Sequence, residues 1–125
     1  MNEKKIKILF IEDEPDQITM ISLRLKKNGY EVIAAQDGEE GLKKAVEANP
    51  DLILLDVLMP GIDGLEVCRR LKKDPRTLHI PVINTTAAGM DDIEHACRMA
   101  GADDCLRKPY ASEDLLLKLE RLLKK

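Results

Sequence analysis

Five short apolar runs recur along the chain, and one of them, Leu52-Ile53-Leu54-Leu55, is polar on neither of its faces. Side chains alternate sides along a strand, so an unbroken apolar run needs cover on both. That is the condition of a strand inside a parallel sheet wrapped by helices. Strands are expected near 6–11, 31–35, 51–56, 80–85 and 103–107, and helical spacing of apolar residues lies near 15–28, 38–48, 64–73, 91–100 and 112–124. Five successive βα units follow, which is a doubly wound α/β sandwich with helices on both faces of the sheet. Local signals agree: Lys26-Lys27-Asn28-Gly29 closes the first helix, and Ser112 reads as the N-cap of the last. Pro15 and Pro109 mark the loops after strands one and five.

A chain of 125 residues fits one domain, expected over 1–125, and can bury roughly two-thirds of its unfolded surface. With 44% hydrophobic and 34% charged residues and a formal net charge of -3, nothing in the electrostatics favours a nucleic-acid partner. The N-terminal run is too short for a signal peptide or a membrane span, so a cytoplasmic protein with no membrane contact is expected. Cys68, Cys97 and Cys105 are odd in number, lack a CxxC spacing and fall within apolar patterns, which reads as small core residues rather than disulfides or zinc ligands.

The strand ends carry the chemistry. Strand one ends in Glu12-Asp13-Glu14, strand three in Asp56, strand four in Thr86-Ala87 and strand five in Lys108-Pro109. In a parallel α/β sheet these ends share one crevice. Glu12, Asp13 and Asp56 gathered there would repel one another without a counterion, and hard oxygen ligands favour Mg²⁺. Magnesium is usually held by one or two carboxylates together with a phosphate, which suits Asp13 and Asp56. A phosphoryl group at that metal could be attacked by Asp56, with Lys108 neutralising one oxygen and Thr86 donating a hydrogen bond to another.

Competing readings meet specific obstacles. A flavin carrier of the same fold would have to place a phosphate against Glu12-Asp13-Glu14-Pro15-Asp16, and one Phe, two Tyr and no Trp leave little to stack a flavin. A Mg²⁺-dependent phosphohydrolase would need an acid–base carboxylate beside its nucleophile, whereas Asp56 is flanked by Leu55, Val57 and Leu58. An interaction module working without phosphorylation has no need of the complete acid, hydroxyl and lysine set. Arg69, Arg70, Lys72 and Lys73 read as a solvated helix face, Lys118 and Arg121 suit a helix C-terminus, and His79 and His95 fall outside the cluster.

The order acidic pair, Asp, Thr, Lys-Pro, with Asp56 in D-V-L-M-P-G-I-D-G, Thr86 in P-V-I-N-T-T-A and Lys108 in L-R-K-P, resembles the receiver domains of two-component response regulators over essentially the whole chain. The resemblance implies a flavodoxin-like receiver fold of strand order 2-1-3-4-5, a switch in two-component signal transduction, and Asp56 as phosphoacceptor. It implies that Asp13, Asp56 and the Leu58 backbone carbonyl bind Mg²⁺, with Glu12 acting through water. It further implies a histidine kinase or phosphotransfer protein as donor, and a downstream partner or output domain reached through the face of helix four, strand five and helix five. The domain would be monomeric or a weak phosphorylation-dependent dimer, not an enzyme beyond assisting its own phosphorylation and dephosphorylation.

Two departures stand out. Receivers usually carry Tyr or Phe three residues before the lysine, where this chain has Cys105. The switch region would then be Thr86, Cys105 and Tyr110, with Ala87-Ala88-Gly89-Met90 moving without an aromatic gate. Asn84 and Thr85 put polar groups in a strand that is normally apolar. Leu58 and Ala88, which border the path of an attacking water in receivers, cannot hydrogen-bond it, so slow loss of the phosphoryl group is expected.

Overall fold

A computed structural model describes residues 5–59, 61–87 and 92–123. Five strands alternate with five helices: β1 Lys7–Ile11, α1 Pro15–Lys27, β2 Glu31–Ala35, α2 Gly38–Ala48, β3 Leu52–Asp56, α3 Gly64–Lys73, β4 Val82–Thr86, α4 Ile93–Met99, β5 Asp104–Arg107 and α5 Ser112–Leu123. The strands form one parallel sheet in the order β2-β1-β3-β4-β5. Chain direction reverses its progress across the sheet between β1 and β3, which is where such folds open their crevice.

Alternation divides each central strand between two cores. Ile8 and Phe10 of β1 join Leu52, Leu54 and Ile83 under α1 and α5, where Ile21, Leu25, Leu115 and Leu119 cover them. Leu9 and Ile11 turn the other way with Ile53, Leu55 and Val82 against Ala45, Val67, Cys68 and Leu71 of α2 and α3. Every residue of β3 is buried, as the unbroken apolar run requires. Each fully buried Leu, Ile or Phe contributes about 1.5–3 kcal/mol, so the central strands are the stable frame for their polar ends.

Helix ends follow the sequence closely. Asp37 and Asp63 cap α2 and α3, accepting from Glu40 N at 2.8 Å and Glu66 N at 2.9 Å. Gly29 follows α1 with φ 90, the left-handed geometry its lack of Cβ permits. Ser112 is instead the first residue of α5, and the Ala111 carbonyl accepts the first helical bonds, from Asp114 and Leu115. β4 starts at Val82 rather than residue 80, because Pro81 has a carbonyl for Ile53 N but no N–H for the ladder.

Lys72 is no part of a solvated face. Its ammonium donates to Asp103 Oδ2 at 2.9 Å and to Ile80 O at 2.7 Å, tying α3 to the chain before β4 and β5. Asp103 Oδ2 in turn accepts from Val82 N at 2.8 Å. Arg69 and Arg70 do stay outside, paired with Glu66 of their own helix, and His79 and His95 are exposed.

The loop after β3 is anchored by Gly64, the first residue of α3. Gly64 N donates to Val57 O at 2.8 Å, and a Cβ at Gly64 would lie 2.6 Å from Val57 Cα. Backbone cannot yield there as a flexible side chain would. Gly64→Ala is therefore expected to cost about 1–3 kcal/mol, measured by urea unfolding; an unchanged midpoint would mean that this contact does not fix the loop.

Candidate functional site

The carboxyl ends of β1, β3 and β5 bring Glu12, Asp13, Asp56 and Lys108 together. One oxygen from each of the three acids lies within 4.8 Å of the others. Glu12 and Asp56 are 1% and 5% exposed, while Asp13 is half-buried at the rim. These burials follow from position: Asp56 is the last residue of a strand enclosed on both faces, and Glu12 N is still bonded to Ala35 O at 2.9 Å, one step beyond β1.

Lys108 supplies the positive charge. Its Nζ donates to Glu12 Oε1 at 3.1 Å and lies 3.5 Å from Asp56 Oδ1. The Lys108 backbone N–H donates to Thr86 O at 2.6 Å, so the register of β4 and β5 holds the stem of the side chain. Glu14 N donates to the second oxygen of Glu12 at 3.2 Å, and Leu58 N makes a long bond of 3.4 Å to Asp56 Oδ1.

Charge does not balance here. Three carboxylates face one ammonium, and burial together with the Glu12 charge raises the Asp56 carboxyl from 3.8 to about 6, against the opposing pull of Lys108 and the Leu58 N–H. The same acids push up the Tyr110 phenol, already raised by its own burial, to about 12. Tyr110 packs against the core under α1 and α5. The donor set, hard oxygens with a deficit of positive charge and an open rim at Asp13, fits a divalent cation of the magnesium type.

Thr86 is the last residue of β4 and is fully buried. Among the described residues its hydroxyl has no hydrogen-bond partner. Pairing sets Asp56 against Thr85 and Asn84 against Cys105, so Thr86, two residues after Asn84, shares the Asn84 and Cys105 side of the sheet. Asn84 Nδ2 and Oδ1 and the Thr85 hydroxyl are likewise buried without partners among the described residues. The expected hinge Ala88-Gly89-Met90 lies outside the described residues. Leu58 is exposed beside Asp56.

The acids, Lys108 and Thr86 lie at or just beyond the strand ends, the positions their spacing in the sequence predicts. The sequence does not announce the closeness of Cys97 and Cys105, whose Sγ atoms are 3.7 Å apart across α4 and β5. A shared apolar spacing could not reveal it, since the pair joins a helix to a strand through the register. Among the described residues no helix is long and apolar enough to cross a membrane.

Residues 8–120 match the family described as the response regulator receiver domain. The DNA-binding dual master transcriptional regulator RpaA of Synechocystis is 41% identical over 119 residues, 95% of this chain and 49% of that protein. The chain thus spans about half the length of RpaA, as it does of several other transcriptional regulators it matches. Among solved structures, the Vibrio cholerae chemotaxis protein CheY4 superposes with a TM-score of 0.89 at 32% identity, covering 96% of this chain and all, 100%, of that one. The receiver domain of the Pseudomonas aeruginosa sensor histidine kinase PA1611, whose active-site cleft holds a coordinated magnesium ion, gives 0.90 at 30% identity, with coverage of 98% and 100%.

Removing the repulsion at the base of the cleft should stabilise the metal-free protein. Asp56→Asn keeps the shape and deletes one buried charge, so its unfolding free energy at neutral pH in EDTA is expected to exceed the wild type's by about 1–3 kcal/mol. A variant less stable than wild type under those conditions would show that Lys108 more than compensates the acids.

Proposed function

The chain belongs to the response regulator receiver domain family, the phosphorylation-controlled switches of two-component signalling, and we propose that Asp56 is its phosphoacceptor. The observation that carries this reading is the convergence of Asp56, Glu12, Asp13 and Lys108 in one cleft with an uncompensated negative charge. Asp13 and Asp56, with the Leu58 carbonyl, would hold Mg²⁺, and Glu12 would act through a water; the ion would offset charge on the acids and on an incoming phosphoryl group.

Each side chain then has a task. Asp56, at a rigid strand end, presents a carboxylate oxygen to the phosphorus of a phosphohistidine on a histidine kinase or phosphotransfer protein. A bond from that oxygen to phosphorus forms as the phosphorus–nitrogen bond breaks. Lys108 turns from Glu12 toward a phosphoryl oxygen, a short move for an ammonium already 3.5 Å from Asp56. Thr86 has a hydroxyl proton with no competing partner among the described residues to give up. It lies on the α4 side of the sheet, so donating to the phosphoryl group draws the end of β4 away from α4. That displacement is the means by which the face of α4, β5 and α5 would signal to a downstream partner.

Intact-mass analysis with acetyl phosphate tests the assignment. The wild type should gain one phosphoryl group only with Mg²⁺ present; Asp56→Asn should gain none, and Lys108→Met should react at least ten-fold more slowly, which corresponds to about 1.4 kcal/mol of lost transition-state stabilisation. Labelling of Asp56→Asn at the wild-type rate, or undiminished labelling in EDTA, would remove Asp56 or the metal from the reaction. In the same assay the label should decay slowly and Leu58→Asn, which can hold a water, should hasten its loss.

A further inference from the structure

The space between α4 and the β4–β5 side of the sheet is chemically unlike the other cores. Val57, Ile93 and Cys97 form its buried part, with Cys105 packed against them. Cys97 is 1% exposed, whereas Cys105 is half-buried. Both cysteines line a surface cavity of about 340 Å³, together with Glu94 and Arg98 of α4 and Lys118 of α5. Cys105 is thus the more exposed of the two thiols, and the Sγ atoms are 3.7 Å apart.

Two buried polar groups point to what this space can hold. Asn84 pairs with Cys105 across the sheet, and neither end of its amide has a partner among the described residues. Thr86 lies on the same side of the sheet, and its hydroxyl too is without a partner among the described residues. Unsatisfied groups of this kind, at 0% exposure, are costly unless something polar occupies the space beside them. A hydroxyl oxygen added to the Cys105 sulfur would bring a polar group to the side of the sheet that carries both.

We propose that Cys97 and Cys105 are a reversible oxidation site, closed to a disulfide by peroxide, that fastens α4 to β5. Peroxide enters through the cavity and oxidises the Cys105 thiol to a sulfenic acid, releasing one water. Cys97 sulfur then attacks the Cys105 sulfur: the sulfur–sulfur bond forms, the sulfur–oxygen bond breaks, and the departing hydroxide leaves as water with the Cys97 proton. Overall one peroxide is reduced to two waters and two thiols are oxidised. Closing the bond asks the sulfurs to approach from 3.7 Å to about 2 Å. Asn84 and Thr86 act as positioning residues for the sulfenic oxygen.

Reactivity should be slow. Burial, then the neighbouring Cys97, pushes the Cys105 thiol up to about 12, and the thiolate is the reactive form. The site therefore answers sustained rather than brief oxidation. A consequence that rests on the phosphoacceptor reading is that the disulfide, by holding α4 on β5, prevents the Thr86 movement from reaching the output face.

The test is peroxide treatment of the whole wild-type chain, followed by quenching, denaturation and alkylation. Alkylatable thiols should fall from three to one, Cys68 alone, with a mass loss of two hydrogens before alkylation. Trypsin cuts at Arg98, between the two cysteines, so the bond should appear as a peptide ending at Arg98 linked to peptide 99–107, released by dithiothreitol. Persistence of all three thiols, a link through Cys68 or between two chains, or separate over-oxidation of Cys105 would overturn the proposal. Asn84→Ala, a readout that a merely adjacent cysteine pair would not move, should lower the trapping of the sulfenic acid by dimedone at least two-fold in a Cys97→Ala background. Amide spectra with beryllofluoride separate the two readings: oxidised protein should shift at Asp13, Asp56 and Lys108 but not across residues 93–99, where reduced protein does. A reduced protein with no pocket response would refute the phosphoacceptor assignment and leave the mapped disulfide standing, whereas an oxidised protein that shifts across 93–99 would refute the fastening.

Discussion

Two buried carboxylates share one ammonium at the mouth of this sheet, and the rest of the molecule is arranged around that imbalance. Glu12 and Asp56 are almost fully enclosed, and Lys108 reaches both from the end of β5. Burying like charges this closely is unfavourable, and truncating the shared cation would leave them uncompensated. A fold tolerates such a cluster when its frame is stable. Here the frame is β1 and β3, whose alternate residues fill two separate cores.

Much of this was legible from residues 1–125 because the signals are short-range. Unbroken apolar runs give buried strands, 3.6-residue spacing gives helices, and a parallel sheet gathers its strand ends without any further information. Asp56 could be placed because Leu52-Ile53-Leu54-Leu55 leads straight to it. What could not be read depends on long-range side-chain reach. Lys72 carries the same charge and spacing as Arg69 and Arg70, yet it crosses to Asp103 and Ile80 because the chain between α3 and β5 folds back beneath it. Ser112 shifted from cap to first helical residue because Ala111 supplies the first carbonyl. Cys97 and Cys105 meet only once the β4–β5 register and the docking of α4 are set.

The α4 side of the sheet differs from what the family resemblance leads one to expect, in a way that alters its mechanics. A small thiol stands where receivers usually hold an aromatic ring, and Asn84 and Thr86 beside it keep polar groups unspent among the described residues. On the proposed function, movement of Thr86 would not have to await rotation of a large side chain. It also alters the hydrogen bonding of a pocket that already has surplus donors, so the response to a new charge on Asp56 should be spread over β4 and α4 rather than focused on one rotamer.

The most direct test is a crystal structure with Mg²⁺ and beryllofluoride. If the account holds, the fluoride-bearing beryllium is bound to an Asp56 oxygen, the metal lies between Asp13 and Asp56, and Lys108 Nζ has given up its 3.1 Å contact with Glu12 Oε1 to contact a fluorine. The Thr86 hydroxyl should contact another. Beryllofluoride bound away from Asp56, or Lys108 still paired with Glu12 while Asp56 carries the adduct, would contradict it.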